Sequence, residues 1–234
     1  MFQFKQFSVD QSGCAMKINT DGVLLGATAE AYEPESILDI GTGTGVIALM
    51  LAQRYPNAII DAVEIDADAA RTAGKNFRES PFAARLQIFP VGFEEYFDEY
   101  PGKKYDLIVS NPPFYVDALK SPGLKKNLAK HSDTDFFERL ITAISIHLTS
   151  AGCCWLVLPL DLTELVNFWS GKSGLFVQRK VYVRSFTESQ AHRVIICLSF
   201  GKSLVETISF DIYSSKNVYS ETYRDLLQPY FMAF

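Results

Sequence analysis

Positive charge is scarce in this sequence: 22 lysines and arginines face 27 aspartates and glutamates, a formal net charge of −5. Chains that hold nucleic acid by charge alone are usually basic, so any contact with RNA has to come from a local patch and a shaped pocket. Histidine and cysteine are also sparse, at three and four. Cys14, Cys153, Cys154 and Cys197 form no CxxC pair, and no histidine stands at ligand spacing from them. No metal site is expected. The thiols read as small core residues of a reducing compartment, with Cys153 and Cys154 on opposite faces of one strand. No apolar run reaches the roughly 18 residues that cross a bilayer. Residues 1–10 lack the basic-then-apolar layout of a secretion signal, so the expected location is the cytoplasm. Low-complexity tracts, repeats and long linkers are missing too, and residues 1–234 are expected to form a single domain.

What the sequence does contain is alternation. Strand-like runs at 36–41, 58–65, 86–91, 105–110 and 153–158 are interleaved with helical patterns at 46–54, 67–78, 134–148 and 160–169. Three further strand-like runs, 176–184, 193–200 and 205–210, precede a closing helix at 220–231. Repeated strand–helix–strand units imply a doubly wound α/β fold. The expectation is a mostly parallel, seven-stranded Rossmann-like sheet with an antiparallel C-terminal end.

The first strand runs into Asp39-Ile40-Gly41-Thr42-Gly43-Thr44-Gly45 and then a helix. Glycines at Gly41, Gly43 and Gly45 allow a tight turn and close approach to a ligand, and the helix start aims N–H groups at it. GxGxG rather than GxGxxG favours S-adenosylmethionine over a dinucleotide. Asp39 either hydrogen-bonds the glycine loop or meets the amino group of the methionine moiety. Glu64 ends the second strand, where a carboxylate accepts from both ribose hydroxyls, and Asp66 reads as the cap of the next helix. The third strand ends in Gly92 where many methyltransferases carry an acid. Phe93 is then expected against the cofactor adenine, with Glu94 or a backbone group supplying the hydrogen bond.

The fourth strand leads into Asn111-Pro112-Pro113-Phe114. An exocyclic amine on a heteroaromatic ring is a poor nucleophile, because its lone pair is delocalised. Accepting hydrogen bonds from both N–H groups localises that pair on nitrogen. The Asn111 side-chain carbonyl and the Pro112 main-chain carbonyl are suited to this, Pro113 stiffens the turn, and Phe114 offers a face for the target base.

These motifs resemble the NPP[FY] amino-group methyltransferases. Phe4-Lys5-Gln6-Phe7, the run from Cys14 through Lys17-Ile18-Asn19-Thr20-Asp21-Gly22 to Gly26, Ala191-His192-Arg193-Val194 and Tyr219-Ser220-Glu221 are similar to the bacterial tRNA1(Val) adenosine-37 N6-methyltransferase family. The resemblance spans essentially the whole chain. It implies an adenosine beside the anticodon of a valine tRNA as substrate. It also implies that residues 1–30 include a segment closing over the cofactor, with Thr20 and Asp21 near its methionine end, while 31–234 form the catalytic core. A tRNA partner and a monomer are expected.

Residues 120–131 carry Lys120, Lys125, Lys126, Lys130 and His131 without an acid. They read as a basic loop beside the pocket, able to meet phosphates. Arg179, Lys180, Arg184 and Arg193 are weaker candidates, because alternation divides them between sheet faces. Two other readings remain: an NPP[FY] enzyme acting on protein glutamine or ribosomal guanine N2, and a non-catalytic RNA-binding module.

Overall fold

The computed structural model describes residues 1–14, 16–112 and 124–234, apart from the side chains of 124–133. Its centre is an eight-stranded sheet. In chain order the sheet strands are β3 (Ser36–Ile40), β4 (Ile59–Val63), β5 (Leu86–Phe89), β6 (Tyr105–Ser110), β7 (Leu148–Leu158), β8 (Phe176–Arg184), β9 (Arg193–Ser199) and β10 (Glu206–Asp211). A two-residue pair, β1 (Phe2–Gln3) and β2 (Ser8–Val9), precedes them. The spatial order is β10-β8-β9-β7-β6-β3-β4-β5.

The mostly parallel sheet with an antiparallel C-terminal end is present, with one strand more than the seven expected. Within that end the arrangement is more specific. Only β9 is reversed, antiparallel to both β7 and β8. β10 pairs parallel with β8 and forms the extra edge.

Strict alternation divides the sheet's side chains between two cores. Ile37, Ile60, Ala62, Leu107, Val109, Trp155 and Ile195 face one cluster; Leu38, Val63, Ile108, Cys154, Leu156 and Ile196 face the other. Cys153 and Cys154 accordingly lie on opposite faces. The first cluster is covered by α1 (Thr20–Thr28), α2 (Val46–Arg54), α3 (Ala67–Glu79) and α7 (Glu221–Leu227). The second is covered by α4 (Phe93–Glu99), α5 (Leu124–His147) and α6 (Thr163–Lys172).

Seven consecutive residues of α2, Val46 to Ala52, are buried. A helix apolar on every side has to be covered on every side, and α1 supplies the outer cover. Gly26 makes that approach close: a Cβ there would sit 3.0 Å from the Met50 sulfur. The chain's two ends also meet. Phe4 stacks on Phe7 at 4.4 Å and packs against Phe231, and the Lys5 amide donates to Tyr230 O at 2.8 Å.

Beneath the second layer lies a polar knot. The carboxylate of Asp61, on β4, is 3% exposed and accepts from Tyr105 Oη at 2.7 Å, Tyr96 Oη at 3.0 Å and Lys103 Nζ at 2.5 Å. Burial and these neighbours push the Tyr105 hydroxyl far above the usual tyrosine range. A buried charge-assisted network is costly to break, because its remaining members lose their partners. Asp61→Ala is expected to lower stability by about 2–3 kcal/mol, read as a lower urea midpoint with an unchanged slope. Tyr105→Phe, which leaves the carboxylate two partners, is expected to cost less than half as much.

Candidate active site

The sheet changes winding direction at β3, which has β4 on one side and β6 on the other. Ligands of such folds bind in the crevice beyond the strand ends at that point. A cleft of about 360 Å³ lies there, lined by Gly41, Gly43, Glu64, Gly92, Phe93 and Asn111, among others.

Gly41, Gly43 and Gly45 all have positive φ (71°, 56° and 83°), a conformation other residues adopt only at a cost. They differ in what they face. A Cβ on Gly41 or Gly43 would meet nothing within 4 Å, so both present bare backbone to open space. A Cβ on Gly45 would lie 2.5 Å from Phe77 Cε1. Gly45 therefore lets α2 pack on α3, and it is not among the residues that line the cleft.

Glu64 follows β4 and knots the rim together. Its Oε2 accepts from Gly43 N at 2.8 Å and its Oε1 from Asp66 N at 2.9 Å. Each carboxylate oxygen has a further lone pair for a ligand hydroxyl. Asp66 caps α3 as expected, accepting from Asp68 N and Ala69 N.

Asp39 is fully buried behind the loop and is not among the cleft residues. Its Oδ2 accepts from Thr42 Oγ1 at 2.6 Å and Ala48 N at 3.2 Å. Of the two expected roles, the structure displays the bond to the loop. Oδ1 has no hydrogen-bond partner among the described residues. Burial pushes its carboxyl up to about 7.

On the far wall, Ser110 Oγ donates to Ile40 O at 2.8 Å, which ties the end of β6 to the end of β3. This sets Asn111 and Pro112 in the same cleft as the glycine loop. The first turn of α1 lies against them, since a Cβ on Gly22 would be 3.7 Å from Asn111 Nδ2. Asn19 caps that helix, accepting from Gly22 N at 2.9 Å. At the cleft's other end Phe93 meets Phe136 edge-on at 6.0 Å. Gly92 has an ordinary extended backbone (φ −68°), and a Cβ there would be 3.5 Å from Glu94 Oε2. The Glu94 carboxylate, paired with Arg139 at 3.2 Å, thus lies beside the place where an acid at position 92 would project.

The family model for the methyltransferase small domain matches residues 14–164. A tRNA1(Val) (adenine(37)-N6)-methyltransferase of Pedobacter heparinus is 46% identical over 100% of this chain and 98% of its own length. The chain belongs to this methyltransferase family. Proteins of the same name from Parabacteroides distasonis (45% identical, 85% of this chain and 83% of the relative) and Flavobacterium johnsoniae (40%, 99% of each) are also similar. Among solved structures, "a predicted O-methyltransferase" of Agrobacterium tumefaciens superposes with a TM-score of 0.68 at 18% identity, over 90% of this chain and 96% of that one. That likeness carries the fold alone. Methyltransferases of this family and fold use S-adenosylmethionine, and this cleft fits it: bare glycine backbone, a ribose-ready carboxylate and an aromatic wall.

Several expected site residues of this methyltransferase are not among those that line the cleft. Thr20 is exposed on the first turn of α1, and Asp21 accepts from Arg193 Nε at 2.7 Å; neither is among the cleft residues. The cause is the cap at Asn19, which starts the helix at Thr20 and turns Asp21 toward β9. Lys125, Lys126 and Lys130 belong to α5, not to a loop. Leu124 to Lys130 is rich in good helix formers, with no glycine or proline. Arg179, Arg184 and Arg193 are all engaged in ion pairs, with Glu30 and Glu206, with Asp211, and with Asp21. Pro113, Phe114 and Lys120 lie outside the described residues. Conversely, Cys14, Met16, Ile65 and Phe136 line the cleft without having been singled out for it.

Asp39 makes a titration prediction. Its folded-state value is raised from 3.8 to about 7, so between those values the folded protein holds more protons than the unfolded chain. Stability contributed at this site therefore falls as pH rises through that window. At about 1.4 kcal/mol per unit, the effect is on the order of 4 kcal/mol. Asp39→Asn is expected to remove that slope. Urea midpoints at pH 4.5 and pH 8 should draw apart in the unmodified protein by more than in the variant.

Proposed function

We infer that this chain transfers a methyl group from S-adenosylmethionine to the N6 amine of an adenosine in tRNA, adenosine 37 of tRNA1(Val). The observation that carries the reading is the placement of Asn111 and Pro112 at the end of β6, inside the cleft bounded by Gly41, Gly43 and Glu64. Full-length relatives bearing that activity in their names support it. A cytoplasmic location and action as a monomer follow from the same reading. No helix among the described residues is long and apolar enough to cross a membrane.

In this proposal Gly41 and Gly43 let the cofactor approach the main chain. Glu64 accepts from the ribose hydroxyls while its existing bonds to Gly43 N and Asp66 N keep it oriented. Phe93 packs on the adenine of the cofactor, and Glu94 takes the place of the acid that Gly92 lacks. When bound, the cofactor would supply an electrophilic methyl group on a sulfonium, whose sulfur departs as a neutral thioether. Asn111 Oδ1 and Pro112 O accept from the two N–H groups of the target amine and localise its lone pair, and Phe114 stacks on the target base. Pro113 stiffens the turn. Such preorganised acceptors favour the developing positive charge on N6 more than the neutral ground state. The surplus proton then leaves to water, so no strong base is required. Residues 17–22, with Asp21 held by Arg193 and Thr20 beside it, form the segment that closes over the methionine end of the cofactor. Lys120, Lys125, Lys126 and Lys130 offer charge to the RNA backbone.

The test is labelled S-adenosylmethionine with tRNA from cells lacking this gene, followed by digestion and nucleoside mass analysis. N6-methyladenosine is the expected product. Asn111→Ala should lower kcat by about 10²–10³-fold while leaving cofactor affinity nearly unchanged. Equal loss of both would remove Asn111 from its role, and label on protein glutamine would replace the substrate.

A further inference from the structure

The sheet's working edge is not level. The strand registers align Ser110, the last residue of β6, with Leu156 on β7, Ile196 on β9 and Lys180 on β8. β8 then runs four residues further, to Arg184. At about 3.3 Å per residue it rises roughly 13 Å beyond the floor that holds Asn111. β10 climbs beside it, with Asp211 level with Arg184. The pairing continues through Ile212 N to Arg184 O at 3.0 Å and Tyr213 N to Ser185 O at 2.9 Å. On top stands the hairpin of β11 (Tyr213–Ser215) and β12 (Val218–Tyr219). One side of the catalytic floor is thus bounded by a wall.

The wall is faced with a column of four rings. Tyr223 is buried at its base. Tyr219 stacks on Tyr223 at 4.7 Å and 8°, Tyr213 on Tyr219 at 5.1 Å and 19°, and Phe186 leans on Tyr213 at 5.6 Å and 35°. Ser220 fixes the base: its Oγ accepts from Tyr223 N at 3.0 Å and donates to Asp211 O at 2.6 Å. The outermost ring, Phe186, is 38% exposed, and so is Tyr219 within the column. The loop that carries Phe186 also carries Thr187, Gln190 and His192, with Glu188 as its acid, and Lys216 stands in the turn of the β11–β12 hairpin.

A rigid ring column with an open end is a surface that unpaired bases extend by stacking, and polar neighbours suit their edges. The net charge is −5 and Arg179, Arg184 and Arg193 are already ion-paired, which favours stacking over charge as the contact on this side.

We propose that the β8–β9 loop and the β11–β12 hairpin bind unpaired RNA adjoining the target adenosine, with a flanking base stacked on Phe186 against the tyrosine column. This rests on the tRNA reading above and adds a second, non-catalytic contact for the same strand.

The experiment measures methylation of a tRNA1(Val) transcript by Phe186→Ala, Phe186→Leu and Phe186→Trp. Ala and Leu are expected to raise KM for the RNA about tenfold, with the rise falling on KM rather than kcat. Trp should keep KM near the unmodified value. Melting temperature and cofactor affinity should stay unchanged throughout. An unaltered KM in Phe186→Ala, or full rescue by Leu, overturns the proposal while leaving the tRNA activity standing. Absence of any RNA methylation by the unmodified protein overturns both.

Discussion

The ends of four elements meet at one residue. Glu64 takes an N–H from the glycine loop between β3 and α2 and another from the start of α3. Its own amide donates to Phe89 O, beyond which the chain turns into α4. The loop cannot move from β4, nor α3 from the loop, without leaving a buried charge unpaired, which is among the costlier defects a fold can carry. Asp39 acts from behind through hydrogen bonds, holding Thr42 and the first turn of α2. The cleft is preorganised because two buried acids hold it from opposite sides.

Much of this was legible in the sequence because it is written in local signals. The glycine spacing, Glu64 at a strand end, Asp66 as a cap and Asn111-Pro112 after a β-branched strand are each decided within a few residues. The strands at β3 to β6 came within two residues of their observed ends for the same reason, while β7 begins at Leu148, five residues before its expected start. What escaped was decided by partners far along the chain. The knot of Asp61 with Tyr96, Lys103 and Tyr105 joins residues up to 44 apart, and no period or motif announces it. Gly45 looks like Gly41 and Gly43 until Phe77 is seen behind it. Asp21 belongs to Arg193, 172 residues away. The parallel pairing of β10 with β8 leaves no mark in either strand's composition.

The paired arginines bear on how an acidic protein handles a polyanion. Phosphate contacts position a nucleic acid without reading it. A surface that commits its guanidinium groups to internal carboxylates gives up part of that unspecific attraction. On the proposed reading, recognition is then left to shape, to stacking and to the carbonyls of Asn111 and Pro112, contacts that can distinguish one nucleotide from another.

The meeting of Lys5 with residues 228–234 has a consequence at a distance. Lys5 Nζ donates to Gln228 O, 223 residues further along, and the strip that leads from Lys5 along α3 reaches Cys14 and Met16 on the cleft rim. The rim strip is thus fastened at two places, to α3 through Asp10 and Asn76 and to residues 228–234 through Lys5. Damage to the remote contact would be felt as slack in the wall of the cleft.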